Sequence, residues 1–259
     1  MKPLFLIIFF IVNSCLNAQM NQDKTALIEY NFQVSYNGYL PKSVTTKCSK
    51  NRSFSKTLAN NSLSGIKTDE NTNSITVYEK ELDTYELVDL TKKTIISIDN
   101  IKGNNYKISE VLPQMNWKLS KDIDTKKIDM FICNKATLNF RGRNYIAWYT
   151  PYVPLSFGPW KFYGLPGLIL ELYDTENNYH WTATKILYPS KEEFDMEVFE
   201  KQNLKETSLI GFVEEIEKQK QRMFARILKV MPRGATMDTG NDIRTSIELL
   251  YDWETEKKK

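Results

Sequence analysis

The feature that most restricts what this chain can fold into is the alternation of its side chains. From Lys24 to Tyr39, Ile28, Tyr30, Phe32 and Val34 are opposed to Leu27, Glu29, Asn31 and Gln33. Residues two apart share one face of an extended strand, so this run predicts a strand with one buried face. Segments 73–79, 84–90, 93–101, 104–111, 127–140 and 143–150 repeat the theme; each is short, β-branched or aromatic, and bounded by Asn, Asp, Lys or Gly. Lys102-Gly103-Asn104-Asn105 reads as a hairpin turn. Many short strands with tight connections predict a mainly β molecule, a curved antiparallel sheet or open half-barrel.

After Pro189 the texture changes. Ser190-Lys191-Glu192-Glu193 has capping-box spacing, yet Phe194, Met196 and Val198 alternate like a strand, and both readings stay open. From Ser208 onward, Leu209, Phe212, Val213, Ile216, Met223, Phe224, Ile227 and Leu228 recur at helical spacing, up to a stop at Pro232-Arg233-Gly234. A helix laid on the open face of the sheet follows, which makes the fold class α+β. Acidic and basic residues mix on its polar side, unlike a membrane-surface helix. Ala235–Lys259 reads as irregular apart from a short helix around Ile243–Tyr251.

Between these regions lies a run of backbone devices. Gly158-Pro159-Trp160-Lys161-Phe162 precedes Gly164-Leu165-Pro166-Gly167-Leu168-Ile169. Proline presets φ for the second position of a turn and glycine accepts the positive φ that follows in a type II turn, which Leu165-Pro166-Gly167-Leu168 fits. Beyond it, Leu168, Leu170 and Leu172 would face one way and Ile169, Glu171 and Tyr173 the other. Turn formers Asp174 to Asn178 then lead to a second strand, Tyr179–Ile186. The six-residue motif holds no titratable group, so it reads as an elbow seating a core hairpin; a ligand-facing loop is the alternative.

The chain begins Met1-Lys2 and continues with an apolar run, Leu4–Val12, of signal-peptide length. Leu16-Asn17-Ala18 supplies a cleavage edge, so residues 1–18 are expected to be removed, with Gln19 first in the mature chain and residues 19–259 one domain (core 24–230). A lipid-modified Cys15 is the rival reading. No later run is long enough to span a bilayer. A net charge of +3 in 259 residues is too small to imply nucleic acid, and Lys257-Lys258-Lys259 reads as a solvated end. After cleavage two cysteines remain. Cys48 and Cys133 either form a disulfide, closing a loop worth roughly 4–5 kcal/mol on the chain-entropy model, or remain buried thiols.

Residues for chemistry are sparse. His180 is the one histidine and has neither zinc-ligand nor nucleophile spacing around it, so no metal site is expected and it reads as a surface residue. No phosphate-binding glycine loop occurs and no cofactor is expected. Glu171, Asp174 and Glu176 cluster near a hairpin end, where an acid pair could hydrolyse a glycoside but solvated turn acids are the simpler reading. Asp122, Asp124 and Asp129 lack the rest of a calcium loop. The aromatics Tyr145, Trp148, Tyr149, Tyr152, Phe157, Trp160, Phe162 and Tyr163 either fill the core or wall an apolar cavity.

Cys133-Asn134-Lys135-Ala136, Arg143 with Ala147-Trp148-Tyr149-Thr150-Pro151, and Gly164–Ile169 follow one another in the order seen in the GLPGLI family of the Bacteroidetes, which this chain resembles over about residues 115–188. Tyr152 stands where relatives often carry an acid. The resemblance implies a secreted or envelope protein and no catalytic residues. The reading that follows is a non-enzymatic periplasmic or outer-envelope binding protein for a hydrophobic molecule or a protein partner, with Trp148, Trp160, Phe162 and Tyr163 lining its site. A hydrolase using a carboxylate pair, or an envelope-assembly partner, is the alternative.

Overall fold

Two antiparallel meanders are joined through the first strand into one open sheet. The computed structural model describes residues 24–35, 40–60, 65–69, 74–78, 81–120, 124–201, 203–230, 244 and 246–256. The leader 1–18, Cys15, Gln19, Asp122, Pro232-Arg233-Gly234 and Lys257-Lys258-Lys259 lie outside those residues. The first meander runs β1 (Thr25–Val34), β2 (Leu40–Cys48), β3 (Arg52–Thr57), β6 (Thr84–Asp89), β7 (Thr94–Ile101) and β8 (Asn104–Val111). β4 (Gly65–Asp69) and β5 (Ser74–Tyr78) form a separate hairpin between β3 and β6. The second meander is β11 (Phe131–Phe140), β12 (Arg143–Thr150), β13 (Leu168–Asp174) and β14 (Tyr179–Ser190), with β9 (Lys118–Leu119) and β10 (Thr125–Ile128) pairing the free side of β11. The seam is β14 against β1, in register from Thr25↔Ser190 to Val34↔Tyr179.

The fold class read from the alternation holds: mainly β, open, with a C-terminal helix. Several local readings do not. Residues 127–140 are a hairpin, turned at Asp129 in the left-handed region, rather than one strand. Residues 197–200 form a short 3₁₀ turn that lays Val198 and Phe199 on Phe54, Leu87 and Ile98. β15 (Lys205–Ser208) adds a parallel strand to β8, where only antiparallel pairs were expected. α1 (Leu209–Val230) starts where the periodicity placed it and packs Leu209, Phe212 and Val213 against Ile108 and Tyr251. Its later stripe residues Ile216, Met223 and Leu228 are exposed. The described part of Ile243–Tyr251 is not helical; α2 (Asp252–Glu256) follows it.

Register shows which side chains share the inner face. Phe32, Trp181, Leu172, Ala147 and Ala136 form one row across β1, β14, β13, β12 and β11. Over this half of the sheet lies the 151–167 connection between β12 and β13, which buries Val153, Leu155, Phe157, Trp160, Phe162 and Leu165. Phe162 has no exposed surface and meets the rings of Trp117, Phe140, Tyr145, Trp160 and Trp181 at 4.8–6.2 Å. The connection is therefore a plug filling the apolar half of the half-barrel.

The glycines of the plug are needed for contact. A Cβ on Gly167 would lie 2.2 Å from the Thr150 carbonyl oxygen, and one on Gly158 would lie 2.8 Å from Ile169. The Gly167 N–H donates to the Leu165 carbonyl (2.8 Å), so the elbow is a γ-turn centred on Pro166 rather than the expected type II turn.

Candidate functional site

The other half of the inner face is polar. Glu86 on β6 stands opposite Ser55 of β3 and Ser97 of β7, and Thr46 of β2 continues the row by a 2.9 Å contact with Ser55. Asp99, two residues beyond Ser97, is the diagonal neighbour of Glu86 on the same face, a relation that places Cα atoms about 7–8 Å apart. The plug enters this region with Trp160 and Lys161, and a cavity of about 350 Å³ remains beside them. Its polar lining includes Glu86, Asp99, Lys42 and Glu81, and its apolar wall includes Phe32, Trp160 and Trp181. A smaller cavity of about 200 Å³, toward α1, shares Glu86, Asp99 and Trp160.

Trp160 reaches the cavity because its backbone is left-handed, with φ of 55°. That region is costly for a bulky residue, and such outliers persist where surrounding structure imposes them. Here Gly158 N–H donates to the Phe162 carbonyl at 2.9 Å, and Phe162 N–H to the Pro159 carbonyl at 3.3 Å, closing the loop around Trp160. Its neighbour Lys161 points inward and is buried, with its ammonium 2.5 Å from Glu110 of β8 and 3.4 Å from Glu248. Arg141 completes the network, 2.7 Å from Glu110 and bonded to Glu248. Arg143 holds the C-terminal segment across the sheet through the carbonyls of Ser246 (2.9 Å) and Ile247 (3.0 Å).

The electrostatics separate two kinds of carboxyl. For Glu110, burial opposes ionisation, but Lys161 and Arg141 outweigh it and hold the carboxyl below its ordinary value. Glu86 has no such partner. Burial pushes it up to about 8, Asp99 and Glu248 add to the rise, and Lys161 opposes it. Its Oε2 is buried without a hydrogen-bond partner. Asp99 is likewise raised by burial, against the Asn100 N–H (2.7 Å) and the charges of Lys161 and Lys42. Near neutral pH Glu86 therefore keeps its proton, in a cavity, beside a second acid.

The four aromatic residues singled out from sequence are dispersed. Trp160 lines the cavity, Phe162 is the centre of the filled core, and Tyr163 donates its hydroxyl to the Pro113 carbonyl. Trp148 has the opposite parity to inward Ala147 and Tyr149; the ammonium groups of Lys126 and Lys135 lie 5.8 and 5.9 Å from its ring. Tyr152 is exposed.

Glu171 and Asp174 are not solvated turn acids. Both are buried, and they leave β13 on opposite faces, so they cannot act as a pair. Asp174 accepts from Arg143 at 3.0 Å and from the Tyr179 N–H at 2.8 Å. Burial opposes ionisation of Glu171, but His180 (3.0 Å) and Lys126 outweigh it and keep its carboxyl low. His180 is thus paired and partly buried rather than a plain surface residue. Glu176, Asp124 and Asp129 are exposed. Among the described residues no cluster of three His, Cys, Asp or Glu side chains could hold a metal. Cys48 and Cys133 are free buried thiols, five steps apart in the strand order, so the bridge held open from sequence is not formed. Burial raises them to about 12 and about 11.

Sequence reasoning missed Glu86, Asp99 and Lys161. The available signals were a lysine set between two inward aromatics and an acid sharing its strand parity with buried Val88.

The segment that builds the plug matches a known family model. Residues 141–171 match "Protein of unknown function (Porph_ging)", a Bacteroidetes-associated domain, and so cover β12, the plug and the start of β13. No curated protein matches the chain. Two crystal forms of PNGF-II superpose with a TM-score of 0.52 at 16% and 15% identity, over 75% of this chain and 33% of theirs. The chain thus spans a third of the length of those proteins, and at this identity the likeness is one of fold alone. A putative outer membrane lipoprotein-sorting protein domain from Vibrio parahaemolyticus aligns over 71% of this chain and 95% of its own at 8% identity, with a TM-score of 0.26. No described helix is long and apolar enough to cross a membrane.

Proposed function

We propose that this chain is an exported, non-enzymatic binding protein of the cell envelope, of the GLPGLI type, cleaved after residue 18 and folded as one domain from residue 19. The observation that carries the reading is the open cavity of about 350 Å³ on the polar half of the inner face, walled by Phe32, Trp160 and Trp181. That volume falls within the range of small-molecule sites. The apolar half is occupied by the chain's own Phe157, Phe162 and Leu165, which argues for a small guest of mixed polarity over a lipid. Native mass spectrometry of protein isolated from its own envelope tests this: a bound small molecule that is lost in Trp160→Ala supports the reading. Ligand-free protein, or a ligand retained by the variant, refutes it. The intact mass of the same sample reports whether the chain starts at Gln19 or at a lipidated Cys15.

One observation favours a second reading. If the protein is a hydrolase, Glu86 and Asp99 replace Glu171 and Asp174 as the acid pair, because a carboxyl that keeps its proton beside another is what general acid catalysis needs. Turnover abolished by Glu86→Gln, with binding retained, would favour it.

A further inference from the structure

We propose that the Trp160 cavity is a site for an organic ammonium ion, held between the carboxylates of Glu86 and Asp99 and the aromatic wall of Phe32, Trp160 and Trp181. This rests on the binding reading above and adds the charge and class of the ligand.

Of the buried cations among the described residues, Lys161 and Arg141 are both engaged by Glu110 and Glu248, and Arg143 is engaged by Asp174. Lys42, at the cavity, is tied to Glu81 at 2.7 Å. These acids match these cations, which leaves Glu86 and Asp99 in surplus. Glu86 is 5% exposed, lines both cavities and has an Oε2 without a hydrogen-bond partner. Buried carboxyls left unmatched are costly, and they are relieved by a proton or by a cation.

The wall selects the kind of cation. A metal ion needs several oxygen ligands, and no suitable cluster exists among the described residues. Indole and phenyl faces attract an ammonium group through the ring quadrupole, and they also take the apolar body that an organic amine brings. A neutral polyol could stack on the same rings but would leave the two acids as they are.

Binding is then coupled to one proton. An ammonium ion entering beside protonated Glu86 forms a carboxylate–ammonium pair, and the carboxyl proton leaves to solvent. The groups acting on Glu86 are Asp99 and Glu248, which favour the proton, and Lys161, which opposes it; Ser55 and Ser97 flank it and are neutral. Those acting on Asp99 are Lys161, Lys42 and Glu248.

The test is calorimetric titration of the mature chain with benzylammonium and with its neutral counterpart, benzyl alcohol, at pH 6 and pH 8. Benzylammonium is expected to bind more tightly at the higher pH, approaching tenfold per pH unit below about 8, with close to one proton released per ligand at pH 6 and about half of one at pH 8, as read from buffers of different ionisation heat. Glu86→Gln, with its fold checked by circular dichroism, is expected to lose most of the pH dependence and to bind more weakly at pH 8. Benzyl alcohol binding as tightly as benzylammonium, or an unchanged pH dependence in Glu86→Gln, would overturn the ammonium assignment and leave the cavity reading standing. Neither probe binding, with the native mass showing no guest, would overturn both.

Discussion

Replacing Glu86 by Gln should remove most of the dependence of this protein's stability on pH between 5 and 9. A glutamate displaced from 4.5 to about 8 in the folded state binds its proton more tightly there than in the unfolded chain. The folded state therefore gains from the protonated carboxyl. That gain is fully present below the unfolded value and is lost as the pH rises through the folded one. At 1.36 kcal/mol per pH unit, the span corresponds to a ceiling of about 5 kcal/mol, which water admitted through the cavity lowers. Asp99, raised in the same direction, leaves a residual slope of the same sign. Glu110 and Glu171 are displaced downward, so their stabilisation is lost only as pH falls through their folded values, outside this window. Urea unfolding at pH 5, 7 and 9 reads the difference. The wild type is expected to weaken steadily with pH, and Glu86→Gln to lose most of that slope and to be the more stable protein at pH 9. Equal slopes in the two proteins, or a wild type that strengthens toward pH 9, would show that Glu86 does not hold its proton in the folded state.

Gly167→Ala drives a Cβ to 2.2 Å from the Thr150 carbonyl and should cost roughly 3 kcal/mol or more, read as a lowered Tm. Lys161→Met leaves Glu110 and Glu248 facing Arg141 alone and should cost roughly 3–5 kcal/mol in urea unfolding; adding Glu110→Gln should recover part of the loss. Phe162→Ala should cost roughly 3–5 kcal/mol by emptying the plug's centre. Cys48 and Cys133 should resist a thiol reagent in the native protein and both react in denaturant without reductant; no reactive thiol in denaturant would reveal a bridge.

Period-two segments carry most of the architecture in the sequence, because burial on one face imposes alternation whatever the partner strand is. Ile28, Tyr30 and Phe32 point inward as their spacing requires, and Leu209, Phe212 and Val213 form the buried start of α1. What alternation does not carry is register. Glu86 lies in Thr84-Tyr85-Glu86-Leu87-Val88-Asp89, where an acid between apolar neighbours reads as the outward residue. Its inward direction follows from sharing parity with Val88, and its neighbours Ser55 and Ser97 are known only once β3 and β7 are aligned. Glu248 lies 87 residues from Lys161 in sequence, and no local pattern links them. The aromatic run was visible, but its division between a filled core at Phe162 and an open wall at Trp160 depends on one left-handed residue.

Adjacent antiparallel strands such as β12 and β13 can be joined by a two-residue turn, yet this chain uses residues 151–167. Connections longer than about 12–15 residues without regular structure are uncommon in compact domains unless they serve a purpose. Most of this one fills space: Val153, Leu155, Phe157, Phe162 and Leu165 supply the side chains that the concave sheet cannot supply itself. Filling alone would not call for a bulky residue at φ of 55°. That cost falls on Trp160, the plug residue that bridges the aromatic core and the polar half, with Lys161 anchored beside it between Glu110 and Glu248. The buried ion network thus fixes where the indole stands, and the plug turns a half-barrel with a filled centre into one with a cavity at its boundary.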